Sequence, residues 1–238
     1  MTDYVEVARA EGPRGEVVLR RRVVERGADV LELRVNGVFV MDSHETTSEV
    51  RLAEAALAVV DDPRDVVVGG LGLGYTLQAV LADHRVEQVR VVEVEDALVG
   101  WMRDGTVPHG PGVLADRRVT VVAADVAQAV AEAQHHYDLV LLDVDNGPGY
   151  LVHDDNAALY GATFLDDVRR LLRPGGAVAV WSADPAPALL ETLREVFGDA
   201  EEQPLEVTLQ QRETAYYLYV ARVEDPVSTP VSTPVSRP

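Results

Sequence analysis

The chain has no cysteine. Disulfides, thiolate catalysis and sulfur-ligated zinc are therefore excluded together. It also lacks any apolar run approaching the roughly 20 residues of a membrane-spanning helix, so no membrane partner is expected. The opening Met1-Thr-Asp-Tyr-Val-Glu has neither the basic start nor the apolar stretch of a signal peptide, and a cytoplasmic location is expected. Basic residues are few. There are 21 against 40 acidic ones, a formal charge of -19. A field of that sign repels phosphate backbones and concentrates cations, which argues against a nucleic-acid partner.

What is present is ample apolar material. At 47% of 238 residues it supports a full core, most simply in one domain with a small appendage. The chain is organised around Val66-Val-Val-Gly-Gly-Leu-Gly-Leu-Gly-Tyr-Thr76. Three β-branched residues suit a strand buried on both faces of a parallel sheet. Gly69, Gly70, Gly72 and Gly74 then let the backbone turn sharply and approach a ligand. A helical composition follows from Tyr75 to about Ala82, which places a helix N-terminus at the loop. In outline this is a nucleotide-type site.

Ahead of that stretch, Gly15 to Asp42 reads as β-structure with a hairpin at Asn36-Gly37. An amphipathic helix over Ser43 to Ala58 follows, with Thr47 or Ser48 as its N-cap. Beyond the glycines, strands are expected at Val89–Glu95, Val119–Ala123, Tyr137–Asp143 and Ala177–Trp181. Helices are expected at 96–103, 126–134, 157–172 and 189–197, with an irregular loop over Thr106–Gly112. This alternation means a parallel sheet with helices on its faces. Val207-Thr-Leu and Tyr216–Val220 are read as an antiparallel pair closing one sheet edge. The expected organisation is a β-hairpin region over 1–45, a catalytic domain over 46–222 and a Pro/Ser/Thr-rich disordered tail over 223–238.

In open α/β sheets ligands bind beyond the C-terminal strand ends. Those ends carry the glycine loop, Glu93 and Glu95, Asp125, and Asp143 and Asp145. Glu93 lies 19 residues after Gly74, the kind of spacing at which a carboxylate accepts both ribose hydroxyls. Asp125 can accept from an adenine amine, which leaves Asp143 to face the reacting end. The dinucleotide fingerprint fails at Tyr75, where its third glycine would fall. S-Adenosylmethionine fits this set better than NAD.

Gly69-Gly-Leu-Gly-Leu-Gly74, Val92-Glu-Val-Glu95, Ala124-Asp125, Tyr137–Asp143 and Leu171-Leu-Arg-Pro-Gly-Gly176 together resemble the ordered motifs of the spermidine synthase family, within the class I S-adenosylmethionine-dependent methyltransferase fold. The resemblance implies an α/β, Rossmann-like, seven-stranded, mostly parallel sheet with helices on both faces, plus a small N-terminal antiparallel β-hairpin region used to form a homodimer. It also implies attack by an amine on a carbon next to the sulfonium of S-adenosylmethionine or its decarboxylated form. By motif position Gly69, Gly70, Leu71, Gly72, Gly74, Tyr75 and Thr76 cradle that cofactor, Glu93 with Val94 takes the ribose, Asp125 with Val126 takes the adenine, and Asp143 completes the site.

The sequence departs from the family at three places. Aminopropyltransferases carry Gly-Gly-Gly-Asp-Gly-Gly, and their aspartate position is Gly72 here. Their Asp-Ser-Ser-Asp-Pro loop becomes Asp143-Val-Asp-Asn-Gly147, so a basic carboxylate is replaced by Asn146. The Tyr-Gln pair leading into the core is replaced by Thr47-Ser48 before Glu49. Asp143 and Asp145 are the candidates for binding and deprotonating an amine. Glu49, Asn146, Tyr150 and Tyr160 are the candidates for holding the acceptor, and the acidic, aromatic loop 144–156 suits a cationic one. No metal ligand set is assigned. The expected activity is aminopropyl-type alkyl transfer to a small amine. Methyl transfer to a small nucleophile on the same scaffold is the alternative, and a non-catalytic cofactor-binding homologue is the reading from another class.

Overall fold

The computed structural model describes residues 4–24, 28–209 and 212–224. Strands β1 (Tyr4–Gly12), β2 (Gly15–Arg22), β3 (Val30–Val35) and β4 (Val38–Asp42) form an antiparallel sheet in the order β1-β2-β3-β4. The β3–β4 hairpin turns at Asn36 and Gly37, with φ 51° and 77°. Two left-handed residues give a turn whose twist matches its strands. Strand β1 lies ahead of the expected β-region. Its residues are almost all exposed, Tyr4, Val5 and Val7 among them.

The second sheet has five parallel strands, β5 (Asp65–Gly69), β6 (Gln88–Glu93), β7 (Val119–Ala123), β8 (Tyr137–Leu142) and β9 (Leu172–Ser182). Two antiparallel strands, β10 (Ala200–Leu209) and β11 (Arg212–Arg222), complete it in the order β10-β11-β9-β8-β5-β6-β7. Every residue of β8 is buried, as a central strand covered on both faces requires. The chain runs outward from β5 to β6 and β7, then returns to the other side of β5 for β8 and β9. A crevice opens beyond the C-terminal ends of β5 and β8, where the order reverses.

Helices α1 (Thr47–Ala58), α2 (Tyr75–Ala82), α3 (Asp96–Asp104) and α4 (Gly110–Leu114) cover one face, through Leu52, Leu77, Met102 and Val113. The N-terminal sheet joins the same core through Val17, Leu19 and Leu33. Helices α5 (Val126–Glu132), α6 (Ala162–Leu171) and α7 (Pro187–Phe197) cover the other face, with Val130, Leu165 and Leu193 against Val67 and Val140. Each such buried aliphatic side chain contributes about 1.5–3 kcal/mol of transfer free energy.

Four local expectations are corrected. Neither Thr47 nor Ser48 caps α1: Thr46 holds the N-cap position without a side-chain bond, and the Glu45 carboxylate accepts from the Thr47 N–H at 2.9 Å. The helix expected over 157–172 is a 3-10 turn over Asp154–Tyr160 and then α6, because Gly161 between them is extended. The last residues of the loop expected over Thr106–Gly112 begin α4 (Gly110–Leu114), with proline in its first turn. Arg173-Pro-Gly-Gly176 lies inside β9 rather than before it, across an irregularity in the pairing with β8. The Pro/Ser/Thr-rich tail expected over 223–238 lies, from residue 225 onward, outside the described residues.

Candidate functional site

The glycine loop is tied to its neighbours by backbone. Asp143 N–H donates to Gly69 O at 2.9 Å, and Gly70 N–H donates to Val92 O at 2.9 Å. Gly70 has φ 88°, and a Cβ there would run into the Asp143 carbonyl. At the end of β6, Glu93 accepts from the Leu71 N–H on Oε2 and from the Glu95 N–H on Oε1, both at 2.8 Å. Burial raises its pKa while those two N–H groups draw it back. Glu93 therefore shapes the loop and also offers its remaining lone pairs to a ligand.

Glu93 lines a cleft at the C-terminal strand ends, together with Gly70, Gly72, Asp125 and Asp143. Val94 and Val126 lie on its wall, Val94 40% exposed. Gly69, Leu71, Gly74, Tyr75 and Thr76 are behind it: Gly74 starts α2 at φ 85°, and the Thr76 hydroxyl donates to Asp143 Oδ2 at 2.6 Å. Asp125 caps α5 by accepting on Oδ1 from Ala127 N–H at 2.8 Å and Gln128 N–H at 3.4 Å. Its Oδ2 lies 3.6 Å from Arg14.

Asp143, half-buried at the cleft wall, and buried Glu49 are an interacting pair. Desolvation raises both, and Asp143's charge raises Glu49 further, against a 2.8 Å hydrogen bond that the Ser48 hydroxyl donates to Glu49. The pair thus retains a proton above the usual carboxylate range. Tyr75 and Tyr216 are close enough to feel the Glu49 and Asp42 charges. Burial with those charges pushes Tyr216 up to about 12. Tyr216 stacks near Trp181 with ring centroids 5.0 Å apart. An acidic, aromatic environment of this kind favours a cation.

The loop after Asp143 is held by Asp145, which has φ 60°. Its Oδ1 accepts from Asn146 N–H at 2.7 Å and Val152 N–H at 2.6 Å; its Oδ2 accepts from Asn156 Nδ2 at 2.6 Å and His153 N–H at 3.2 Å. All four bonds are made to the loop itself. Asp145, expected as a candidate general base, is here the residue that holds the loop together. Asn146 is 5% exposed and donates to Phe39 O at 3.3 Å, tying the loop to the N-terminal sheet. Together with exposed Tyr150, Trp181 and Tyr216 it lines a second, wider hollow. Tyr160 is corrected as a substrate contact: it is buried and donates to Val144 O at 2.9 Å, supporting the loop from behind. Among the described residues no cluster of three metal-ligating side chains forms.

Two residues escaped the sequence reading. Arg14 lies in the cleft, and Gly12-Pro-Arg-Gly15 carried a turn signal that could have located it. Met41 sits against Gly72 and Leu73. Nothing in its sequence context marks it.

The sequence matches the family model for the Spermine/spermidine synthase domain over residues 45–195. Polyamine aminopropyltransferase 2 of Pseudomonas aeruginosa is 33% identical over 168 residues, 66% of this chain and 46% of that protein. Putrescine N-methyltransferase 3 of Nicotiana tabacum is 32% identical over 125 residues, 51% of this chain and 31% of its own length. The matches thus span half or less of these curated relatives. Spermidine synthase from Thermotoga maritima shares the fold with a TM-score of 0.77 at 17% identity, over 91% of this chain and 72% of that one. With its ordered strand-end carboxylates and a family match covering more than half its length, the chain belongs to the spermine/spermidine synthase family.

Proposed function

We propose that this protein transfers an alkyl group, of aminopropyl type, from an adenosyl sulfonium donor to an amine of a small cationic acceptor. The observation that carries the reading is the cleft in which Glu93, Asp125 and Asp143 stand in order along three strand ends. The donor is S-adenosylmethionine or its decarboxylated form. Glu93 takes the ribose hydroxyls and Asp125 the adenine amine, while the glycine loop lets backbone approach between them.

The chemistry needs orientation and one proton acceptor. The amine lone pair forms the N–C bond as the C–S bond breaks, and the electron pair stays on sulfur as a neutral thioether. Asp143, fixed by Thr76 and raised toward neutrality by burial, holds the amine and receives its proton. Glu49, beside it and pushed up to about 8 by burial and the Asp143 charge, carries the proton that the pair retains. The same reading includes a cytoplasmic enzyme and a homodimer, for which exposed Tyr4, Val5 and Val7 on β1 offer apolar surface.

Methyl transfer is the second reading, favoured by Gly72, which brings no carboxylate to the donor's amino end. Incubation of each donor form with a panel of amines separates the two. Methylthioadenosine release from the decarboxylated donor supports aminopropyl transfer, whereas S-adenosylhomocysteine release supports methyl transfer. Neither product above background would mean a non-catalytic homologue.

A further inference from the structure

Arg14 belongs to the β1–β2 turn of the N-terminal sheet, yet it lines the cleft at the strand ends of the other sheet. Its turn is locked. Asn36 Oδ1 accepts from Glu16 N–H at 2.9 Å, Asn36 Nδ2 donates to Arg14 O at 3.1 Å, and Asn36 N–H donates to Glu16 O at 2.8 Å. Gly15, at φ 107°, leaves the room that this amide fills.

From that base the guanidinium reaches three loops. One terminal nitrogen donates to Asn156 Oδ1 at 3.1 Å; the other lies 3.6 Å from Asp125 Oδ2, and Nε lies 4.0 Å from Glu95 Oε1. Only the first has hydrogen-bond length. Arg14 Nε is buried and has no acceptor. Buried donors are normally satisfied, so this one marks a place where an acceptor is due. The wall's carboxylates, Glu93, Glu95, Asp125, Asp143 and Asp145, offer acceptors, and among the described residues Arg14 is its one arginine. A nucleoside presents both kinds of group: an amine and hydroxyls for the carboxylates, and ring nitrogens and a ribose ring oxygen for a donor.

Building on the adenosyl-donor reading, we propose that Arg14 is a donor-binding residue supplied by the N-terminal sheet: its guanidinium donates to the adenosine moiety and, through Asp125 and Asn156, closes the cleft around it. The contact is to the nucleoside and not to the transferred group.

The test is calorimetry on the full chain with methylthioadenosine and S-adenosylhomocysteine, which share the nucleoside and differ in the tail. Arg14→Ala is expected to weaken both by about the same factor, on the order of tenfold, as loss of one charge-assisted contact would. Arg14→Lys restores little, because an ammonium cannot span Asp125 and Asn156. In turnover, donor KM rises more than kcat falls and acceptor KM holds. Unchanged or tighter binding by Arg14→Ala overturns the proposal, as does a loss confined to one of the two ligands. If Arg14→Ala does not fold, Arg14→Lys decides alone: full wild-type affinity overturns the proposal and a severalfold loss supports it. Wild-type protein that binds neither compound overturns the adenosyl-donor reading itself, an outcome distinct from equal binding by wild type and variant.

Discussion

The Met41 sulfur accepts a hydrogen bond from the Leu73 N–H at 3.2 Å and stands where a side chain on Gly72 would project, 2.7 Å from the Cβ position. The position at which the family resemblance leads one to look for an aspartate is thus filled from β4 by a thioether. Gly72→Asp alone has to displace Met41 and adopt φ near 50°, a region that aspartate tolerates better than most residues. Calorimetry with both donor forms is the measurement. Met41→Ala/Gly72→Asp is expected to shift preference toward the decarboxylated form by about tenfold relative to wild type, the scale of one charge-assisted contact. Gly72→Asp alone shifts it less. Equal shifts for single and double variants would show that Met41 does not occlude the position.

Gly70 makes a stricter prediction. A Cβ there meets backbone, not a flexible side chain, so the β5 and β8 ends must separate. Gly70→Ala is expected to cost about 3 kcal/mol or more. For a chain of this size that lowers Tm by roughly 6–12 °C. A melt within about 2 °C of wild type would contradict the close approach.

The large sheet was legible because its strands are bounded by strong signals. Val66–Val68 and Leu139–Leu142 are apolar runs closed by glycine or aspartate, and the carboxylates they end in are fixed to the sheet's C-terminal edge by topology alone. The side-chain roles at that edge were less legible. Asp143 and Asp145 look alike in sequence, and only the fold shows one in contact with Thr76 and the other consumed by loop amides. Asn36-Gly37 announced a hairpin, but not that Asn36 would fix Arg14, because that contact joins segments 22 residues apart. Tyr160 was grouped with the acceptor by proximity in sequence, which a 3-10 turn then directed into the core.

Glu49 ties stability to pH. Burial raises its pKa and that of Asp143 in the folded protein, and the Asp143 charge raises Glu49 further. The folded state thus holds a proton that the unfolded chain releases near the ordinary value of about 4.3. The pair's favourable contribution is present below that value and is lost as pH rises through the raised one. Wild-type Tm is expected to decline from about pH 5 to about pH 9, more steeply than that of Glu49→Gln. Glutamine can still accept from Ser48 and carries no charge. Parallel slopes for the two proteins would show that Glu49 is not the titrating group.

Asp143 and Asp145 are separated by one residue and are expected to differ in kind. Asp143→Asn removes the proton acceptor that faces the cleft, so kcat should fall by about 10²- to 10⁴-fold. Donor affinity should change little, and the acidic limb of the kcat–pH profile should flatten. Asp145→Asn keeps a side chain that tolerates φ 60° and keeps an oxygen for the Asn146 and Val152 amides, but sets an NH₂ against Asn156 Nδ2 and the His153 N–H. The loop over 144–156 then loosens, acceptor KM rises, and the pH profile keeps its wild-type midpoint. The pH profile decides between the two carboxylates: a flattened limb in Asp145→Asn with a normal one in Asp143→Asn would exchange their roles.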